Sequence, residues 1–277
     1  MTSNDTDISA LAYDIASIYS AIPNVEAVAM AGSHLSKIAD EASDLDLYVY
    51  LRDDITLNVR AVIAKNRASQ AEIDNQFWEP GDEWIERESG VSIDVMFRRM
   101  QWIEREIEQT INWHRAMMGY STCLWHNVLH SETLFDRNGW YSTLKLRADV
   151  TYPAGLQKAI IAKNYPVLRD TQSSYYRQIE KAIKRKDLVS INHRIAALLA
   201  SCFDVVFAIN KMAHPGEKRL LDHLGRCSKL PADMPAQIEA IIAHSNRADS
   251  NILEIIAELI DGLYQLLRQE KLYPVED

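Results

Sequence analysis

Apolar residues at Ile8, Leu11, Ile15, Ile18 and Tyr19 recur at helical spacing and predict a helix over residues 7–21, which Pro23-Asn24 ends. Val25-Glu-Ala-Val-Ala-Met-Ala31 follows as a short, partly buried strand, and Gly32-Ser33 breaks it. His34 to Ala42 reads as a short helix or turn. Leu45 to Leu51 is rich in strand formers through Tyr48, Val49 and Tyr50. Residues 56–70 read as strand followed by helix. The stretch from Asp74 to Trp84 reads as a loop, because Pro80-Gly81 punctuates it. Val91-Ser-Ile-Asp-Val-Met-Phe97 alternates and predicts another strand. Residues 99–118 carry a long helical pattern through Trp102, Ile103, Ile107, Ile111 and Trp113.

From about residue 150 the pattern changes. Tyr152-Pro-Ala-Gly155 reads as a linker, and beyond it nearly every segment is helical. Ile191, Ile195, Leu198, Leu199, Cys202, Val205, Val206 and Ile209 form one broad apolar face, and Ile252, Ile255, Ile256, Leu259, Ile260, Leu263 and Leu267 form another. Breaks fall at Pro215-Gly216, Gly225, Pro231 and Pro235. The expectation is an α+β protein, with an N-terminal α/β domain around a small mixed sheet over residues 1–150 and a C-terminal helical bundle over 151–277. There is no internal repeat and no low-complexity segment.

Composition narrows the function. The 277-residue chain is 47% hydrophobic and 25% charged, with a net charge of −9. That acidic balance weighs against a protein that holds nucleic acid by its backbone, which calls for a basic surface. Cys123, Cys202 and Cys227 are odd in number and lack CxxC spacing, which fits a reducing compartment without a disulfide framework. The first residues lack a basic stretch followed by an apolar core, and no apolar run of bilayer-spanning length is apparent, so a cytoplasmic location without membrane association is expected.

The chemistry concentrates in two places. Asp44-Leu45-Asp46 opens the second predicted strand, and alternate side chains of a strand share a face, so the two carboxylates point the same way. Asp94 sits inside the apolar strand Val91–Phe97, where an unpaired carboxylate is costly. If those strands are neighbours, Asp44, Asp46 and Asp94 converge, and such a set repels itself unless a cation sits within it. Hard oxygen ligands suit Mg²⁺, and two such ions can serve an in-line displacement at phosphorus. Gly32 lets backbone amides approach a phosphate closely, the Ser33 hydroxyl can donate to it, and Ser43 can do the same.

The order Gly32-Ser33, Asp44-Leu45-Asp46, then Ile93-Asp94-Val95 resembles the DNA polymerase β-like nucleotidyltransferase superfamily. Within it the chain is similar to aminoglycoside- and lincosamide-type nucleotidyltransferases. It resembles more closely an uncharacterised bacterial group with a DUF4037-type C-terminal domain, through Phe77-Trp-Glu-Pro-Gly-Asp-Glu-Trp84 and Phe207-Ala-Ile-Asn-Lys-Met-Ala-His-Pro-Gly-Glu-Lys-Arg-Leu220. The resemblance implies Mg²⁺-dependent transfer of a nucleoside monophosphate from ATP or another NTP to a hydroxyl of a small-molecule acceptor, an antibiotic among the candidates. It implies that Asp44 and Asp46 hold both metals and that Asp94 is the third carboxylate. Two other readings stand beside it: AMP transfer to a partner protein, and a nucleotide-binding regulator without turnover.

Glu79, Asp82 and Glu83 lie beside Trp78 and Trp84, a combination that suits a cationic or sugar-like acceptor or, equally, a solvated loop whose tryptophans pack inward. Glu83 is the preferred general base. Lys211, Lys218 or Arg219 could meet the triphosphate, a role that follows from the resemblance rather than from composition. Cys123, His126 and His130 have the spacing to share a helix face, but no second zinc motif accompanies them, and a packed, hydrogen-bonded set is expected. Lys181, Lys184, Arg185 and Lys186 read as a solvated helix end.

Overall fold

The computed structural model describes residues 3–31, 44–77 and 79–273, with side chains from residue 8 onward. By its contacts the chain divides into two units: residues 1–107 with 127–149, and residues 108–126 with 150–277.

The first unit is built on a six-stranded sheet in the order β3-β4-β5-β2-β1-β6. The strands are β1 (Val25–Met30), β2 (Leu45–Leu51), β3 (Ala68–Asn75), β4 (Gly81–Glu86), β5 (Ser92–Arg99) and β6 (Glu132–Asp136). β2 and β5 run parallel, and every other neighbouring pair is antiparallel. β1 and β2 are covered on both faces, which explains their nearly continuous apolar composition. Leu45, Leu47, Val49 and Leu51 of β2 and Ile93, Val95 and Phe97 of β5 pack with Ala12, Ile15, Ala16 and Tyr19 of α1 (Ser3–Ser20) and with Ile63 and Ala64 of α2 (Leu57–Arg67). Arg60 of α2 reaches into that layer, where it forks onto the fully buried Asp82 carboxylate (Nε to Oδ2 2.9 Å) and stacks 4.3 Å from the Phe97 ring centroid. On the opposite face, toward the C-terminal ends of β2 and β5, aromatic residues close the sheet: Tyr50 stacks on Tyr141 of α5 (Trp140–Ala148), and the Trp140 indole donates to Glu104 of α3 (Met100–Ile111).

Several sequence expectations are corrected here. Residues 57–75 form helix then strand, the reverse of the expected order. The stretch 74–84 is largely strand: Pro80-Gly81 opens β4 rather than interrupting a loop, so Asp82, Glu83 and Trp84 lie within the sheet. The helix expected over 99–118 ends at Ile111. β6 and α5 had no counterpart in the apolar pattern.

The second unit is helical. α6 (Ala154–Asn164), α7 (Pro166–Arg169), α8 (Tyr175–Lys184) and α11 (Met234–His244) pack on α9 (Leu188–Ile209), and α12 (Asn251–Gln269) packs on α8 and α11. α4 (Cys123–His130) and the five-residue α10 (Leu220–Leu224) complete the helices of the described residues. The expectation that no helix has bilayer-spanning length is corrected: α9 is 22 residues long with a mean hydropathy of 1.4 over its most apolar window. Of that window 61% is buried within the protein, as in the central helix of a bundle. The segment 108–126 is tied into this unit by hydrogen bonds: the Gly119 N–H donates to Asn164 Oδ1 at 2.8 Å, and the Ser121 hydroxyl donates to Asp204 Oδ2 at 2.6 Å.

Candidate active site

The parallel β2–β5 pair sets the central geometry. Its register places Asp46 directly beside Asp94. On the other side of β5, the antiparallel register places Glu83 of β4 beside the same Asp94. The next register pair is Glu72 of β3 with Glu83. Residues paired across a sheet point to the same face, so Asp46, Asp94, Glu83 and Glu72 form one row across four strands, spaced by about 4.8 Å per strand. The row faces away from the α1–α2 core layer, because its members alternate with the core residues Leu45, Leu47, Ile93, Val95 and Trp84.

The electrostatics follow from this row. The Asp94 carboxyl is pushed up to about 6, first by burial and then by the negative charges of Asp46, Glu83, Glu79 and Asp44. Like-charged neighbours at strand spacing resist simultaneous ionisation. The Glu83 carboxylate is held by Asn75, whose Nδ2 donates to Oε1 at 2.7 Å. Asn75 is itself buried, and its carbonyl oxygen accepts from the Phe77 N–H. Gly81 stands on the same face as Glu83, and a β-carbon there would lie 3.7 Å from Asp94 Oδ1 and 3.0 Å from the Val95 carbonyl. The absent side chain therefore leaves the flank of Asp94 open.

The aromatic–cation cluster bordering the row was not foreseen. Arg98 shares the face of Asp94 on β5 and is only 3% exposed. Its Nε and Nη2 each donate to Glu79 at 2.7 Å, a bidentate clamp on the turn that leads into β4. Among the described residues Nη1 has no hydrogen-bond partner, and the guanidinium carbon lies 3.8 Å from the Tyr48 ring centroid. Burial pushes the Tyr48 hydroxyl up to about 12, so it stays protonated near neutrality. The sequence signal for this cluster was the alternation of Asp94, Met96 and Arg98 on one strand, which becomes readable once the strand's face is known.

The structure thus brings together Asp46, Asp94 and Glu83, with Asp44 close enough to bear on Asp94. Gly32, Ser33, Ser43 and Trp78 lie outside the described residues. Lys211 and Lys218 are exposed and belong to the second unit, whereas the carboxylates belong to the first. The reading of Trp84 as a platform for an acceptor is corrected: its ring is 2% exposed and packs in the core on the face opposite Glu83. Asp82 is likewise withdrawn from solvent by Arg60, and Glu79, half-buried, is held in an ion pair with Arg98.

Among the described residues, no three His, Cys, Asp or Glu side chains are already arranged to chelate one ion. The carboxylate row nevertheless has the donor chemistry for a divalent cation: hard oxygens from adjacent strands, and an Asp94 whose ionisation is opposed by its surroundings. Cys123, by contrast, sits 3.5 Å from His214 Nδ1 in a packed contact. Burial pushes its thiol up to about 12 and the His214 imidazole down to about 4.

No family model matches the chain, and no curated protein does. Among solved structures, a nucleotidyltransferase-like protein from Exiguobacterium sibiricum is similar at 13% identity and a TM-score of 0.42, over 92% of this chain and 73% of that one. A CCA-adding enzyme from Thermotoga maritima, complexed with tRNA, is similar at 13% identity and a TM-score of 0.33, over 98% of this chain and 84% of that one. A CCA-adding enzyme in complex with ATP is similar at 12% identity and a TM-score of 0.33, over 96% of this chain and 83% of that one. The resemblance to DUF4037-type and antibiotic-modifying enzymes rests on the residues quoted above alone.

Proposed function

We propose that the protein is a nucleotidyltransferase that moves a nucleoside monophosphate, in the first instance AMP from ATP, onto a hydroxyl of a small-molecule acceptor. The observation that carries this reading is the register of β5 with its two neighbours, β2 and β4, which sets Asp46 on one side of Asp94 and Glu83 on the other. In the reaction the acceptor oxygen bonds to the α-phosphorus, the bond from that phosphorus to the α,β-bridging oxygen breaks, and pyrophosphate leaves with the bond's electrons. Glu83 takes the acceptor proton: Asn75 fixes one of its oxygens and leaves the other for the substrate. Asp44, Asp46 and Asp94 would hold two Mg²⁺ ions, which when bound neutralise phosphate charge and supply Lewis acidity. Gly32, Ser33 and Ser43 would orient the phosphates, and Lys211 and Lys218 would attract the triphosphate electrostatically.

Charge argues for the acceptor class. A row of carboxylates on a chain of net charge −9 repels a polyanionic acceptor and tolerates a neutral or cationic one. The test is Mg²⁺-dependent pyrophosphate release from each NTP against a panel of aminoglycosides, lincosamides and cell metabolites, with Asp44→Ala and Asp46→Ala as controls. Acceptor-dependent release lost in both variants supports the reading. Tight Mg·ATP binding without release turns it toward a protein acceptor or a regulator, and absence of nucleotide binding overturns it.

A further inference from the structure

The second unit contains a cavity of about 410 Å³ opening between α9, α10 and α11, within the range of about 300–1,000 Å³ typical of small-molecule sites. Its walls are apolar. Ala196 and Ala200, one turn apart on α9, hollow out one side, with Phe203 a turn further on, and Ile238 and Ile242 of α11 contribute to the lining. Three lining residues carry polar groups and are solvent-exposed: Tyr120, Arg219 and Asp222.

Two of these three are held in a backbone conformation that side chains seldom adopt. Tyr120 has φ 56° and Arg219 has φ 54°, a strained state that persists only where the surroundings enforce it. For Tyr120 the enforcement is visible. Gly119, at φ 73°, presses so closely on α9 that a β-carbon there would lie 3.0 Å from the Ala200 β-carbon. Its N–H is held by Asn164, and the Ser121 N–H and hydroxyl are both held by Asp204. Asn164 Nδ2 in turn donates to Asp204 Oδ2 at 3.2 Å and to the Met117 carbonyl at 2.9 Å. A buried polar network of this kind is costly to assemble, and here it fixes one aromatic ring at the side of an apolar cavity.

We propose that this cavity is a preformed site for a small zwitterion with a flat apolar body, of the aromatic amino-acid class. The ring enters over Ala196 and Ala200 and packs against Phe203 and Tyr120. The carboxylate meets Arg219 and the ammonium meets Asp222, two exposed opposite charges a turn apart that complement such a head group. The site lies within the second unit and holds whether or not the first unit transfers nucleotides.

Isothermal titration of the full chain with L-tryptophan and L-phenylalanine tests it, with indole, tryptamine and indole-3-propionate as controls for the apolar body and each single charge. L-tryptophan binds saturably, and each single-charge analogue binds about tenfold more weakly, as expected for one lost charge-assisted contact. Arg219→Ala reduces L-tryptophan binding to the tryptamine level, and Asp222→Asn reduces it to the indole-3-propionate level. Ala196→Leu, at an exposed position, fills the cavity and abolishes binding. The two charge variants serve if that one fails to fold. No saturable binding of either amino acid, indole binding as tightly as L-tryptophan, or L-tryptophan binding unchanged in both charge variants overturns the proposal.

Discussion

Asp94 in the sheet unit and Asp204 in the helical unit have the same elevated proton affinity, each pushed up to about 6 chiefly by burial. Their surroundings differ in kind. Asp204 is satisfied: it accepts from the Ser121 N–H and hydroxyl and from Asn164, all within its own unit. Asp94 is crowded instead by Asp46, Glu83, Glu79 and Asp44, which raise its proton affinity further. A buried carboxylate supplied with donors is a structural member, whereas one surrounded by other carboxylates is a demand for a cation. The same shift therefore means opposite things, and the neighbours decide which.

The largest expected effect separates the two directly. Asp94→Asn lowers transfer by about a thousandfold or more, on the scale of a lost electrostatic contact in the transition state, while the metal-free protein keeps or gains thermal stability at pH 7.5. Asp204→Ala does the reverse in the helical unit. It leaves Ser121 and Asn164 without their acceptor and costs about 3 kcal/mol in denaturant unfolding, within the usual range for breaking a buried polar network. Glu83→Gln comes next, with a fall of about a hundredfold in kcat and loss of the acidic limb of the pH–rate profile, as expected for a general base. Asn75→Ala gives a smaller fall and leaves that limb in place.

A milder effect appears in the pH dependence of stability without metal. Both groups have folded pKa values near 6, raised from 3.8. Each contributes stability that is fully present below the unfolded value and is lost as pH rises through about 6. For Asp204 the loss is up to about 3 kcal/mol, and for the partly exposed Asp94 it is smaller because solvent screens it. Saturating Mg²⁺ abolishes the Asp94 part and leaves the Asp204 part. The ion therefore raises the melting temperature more at pH 7.5 than at pH 5, and in Asp94→Asn that difference disappears. Equal shifts at the two pH values in the parent protein would remove the cation from the interpretation.

The two units also differed in how readable they were. Helices α9 and α12 each bury a broad apolar stripe at helical spacing, and that stripe was written in the residues. Strands β1 and β2 were equally plain because central strands are apolar on both faces, and β5 because its apolar residues alternate with polar ones. The outer strands were not. β4 alternates buried Asp82 and Trp84 with exposed Glu83 and Ile85, so a charged residue lies inside and an apolar one outside, contrary to the usual pattern. The cause is Arg60, which comes from α2 to pair with Asp82 and whose role depends on tertiary contact. β6 is half-buried throughout and offers no alternation to detect. Asp44, Asp46 and Asp94 could be singled out by type and spacing. Asn75, Glu72 and Arg98 could not, because their roles arise from a register across strands that no local pattern specifies.

The pairing of β2 with β5 has a kinetic consequence. It is the one parallel pair among the described strands, and α2, β3 and β4 intervene along the chain. A parallel pair cannot close through a tight turn, so Asp46 meets Asp94 only after a long loop has been closed at an entropic cost. The antiparallel β3–β4 hairpin is local and can form first. Folding should then proceed from a hairpin that already carries Glu72 and Glu83 to a late docking step that brings in Asp46. A refolding chain would acquire its sheet signal before its capacity to bind a divalent ion, and the interval between the two would time the docking of β5 against β2.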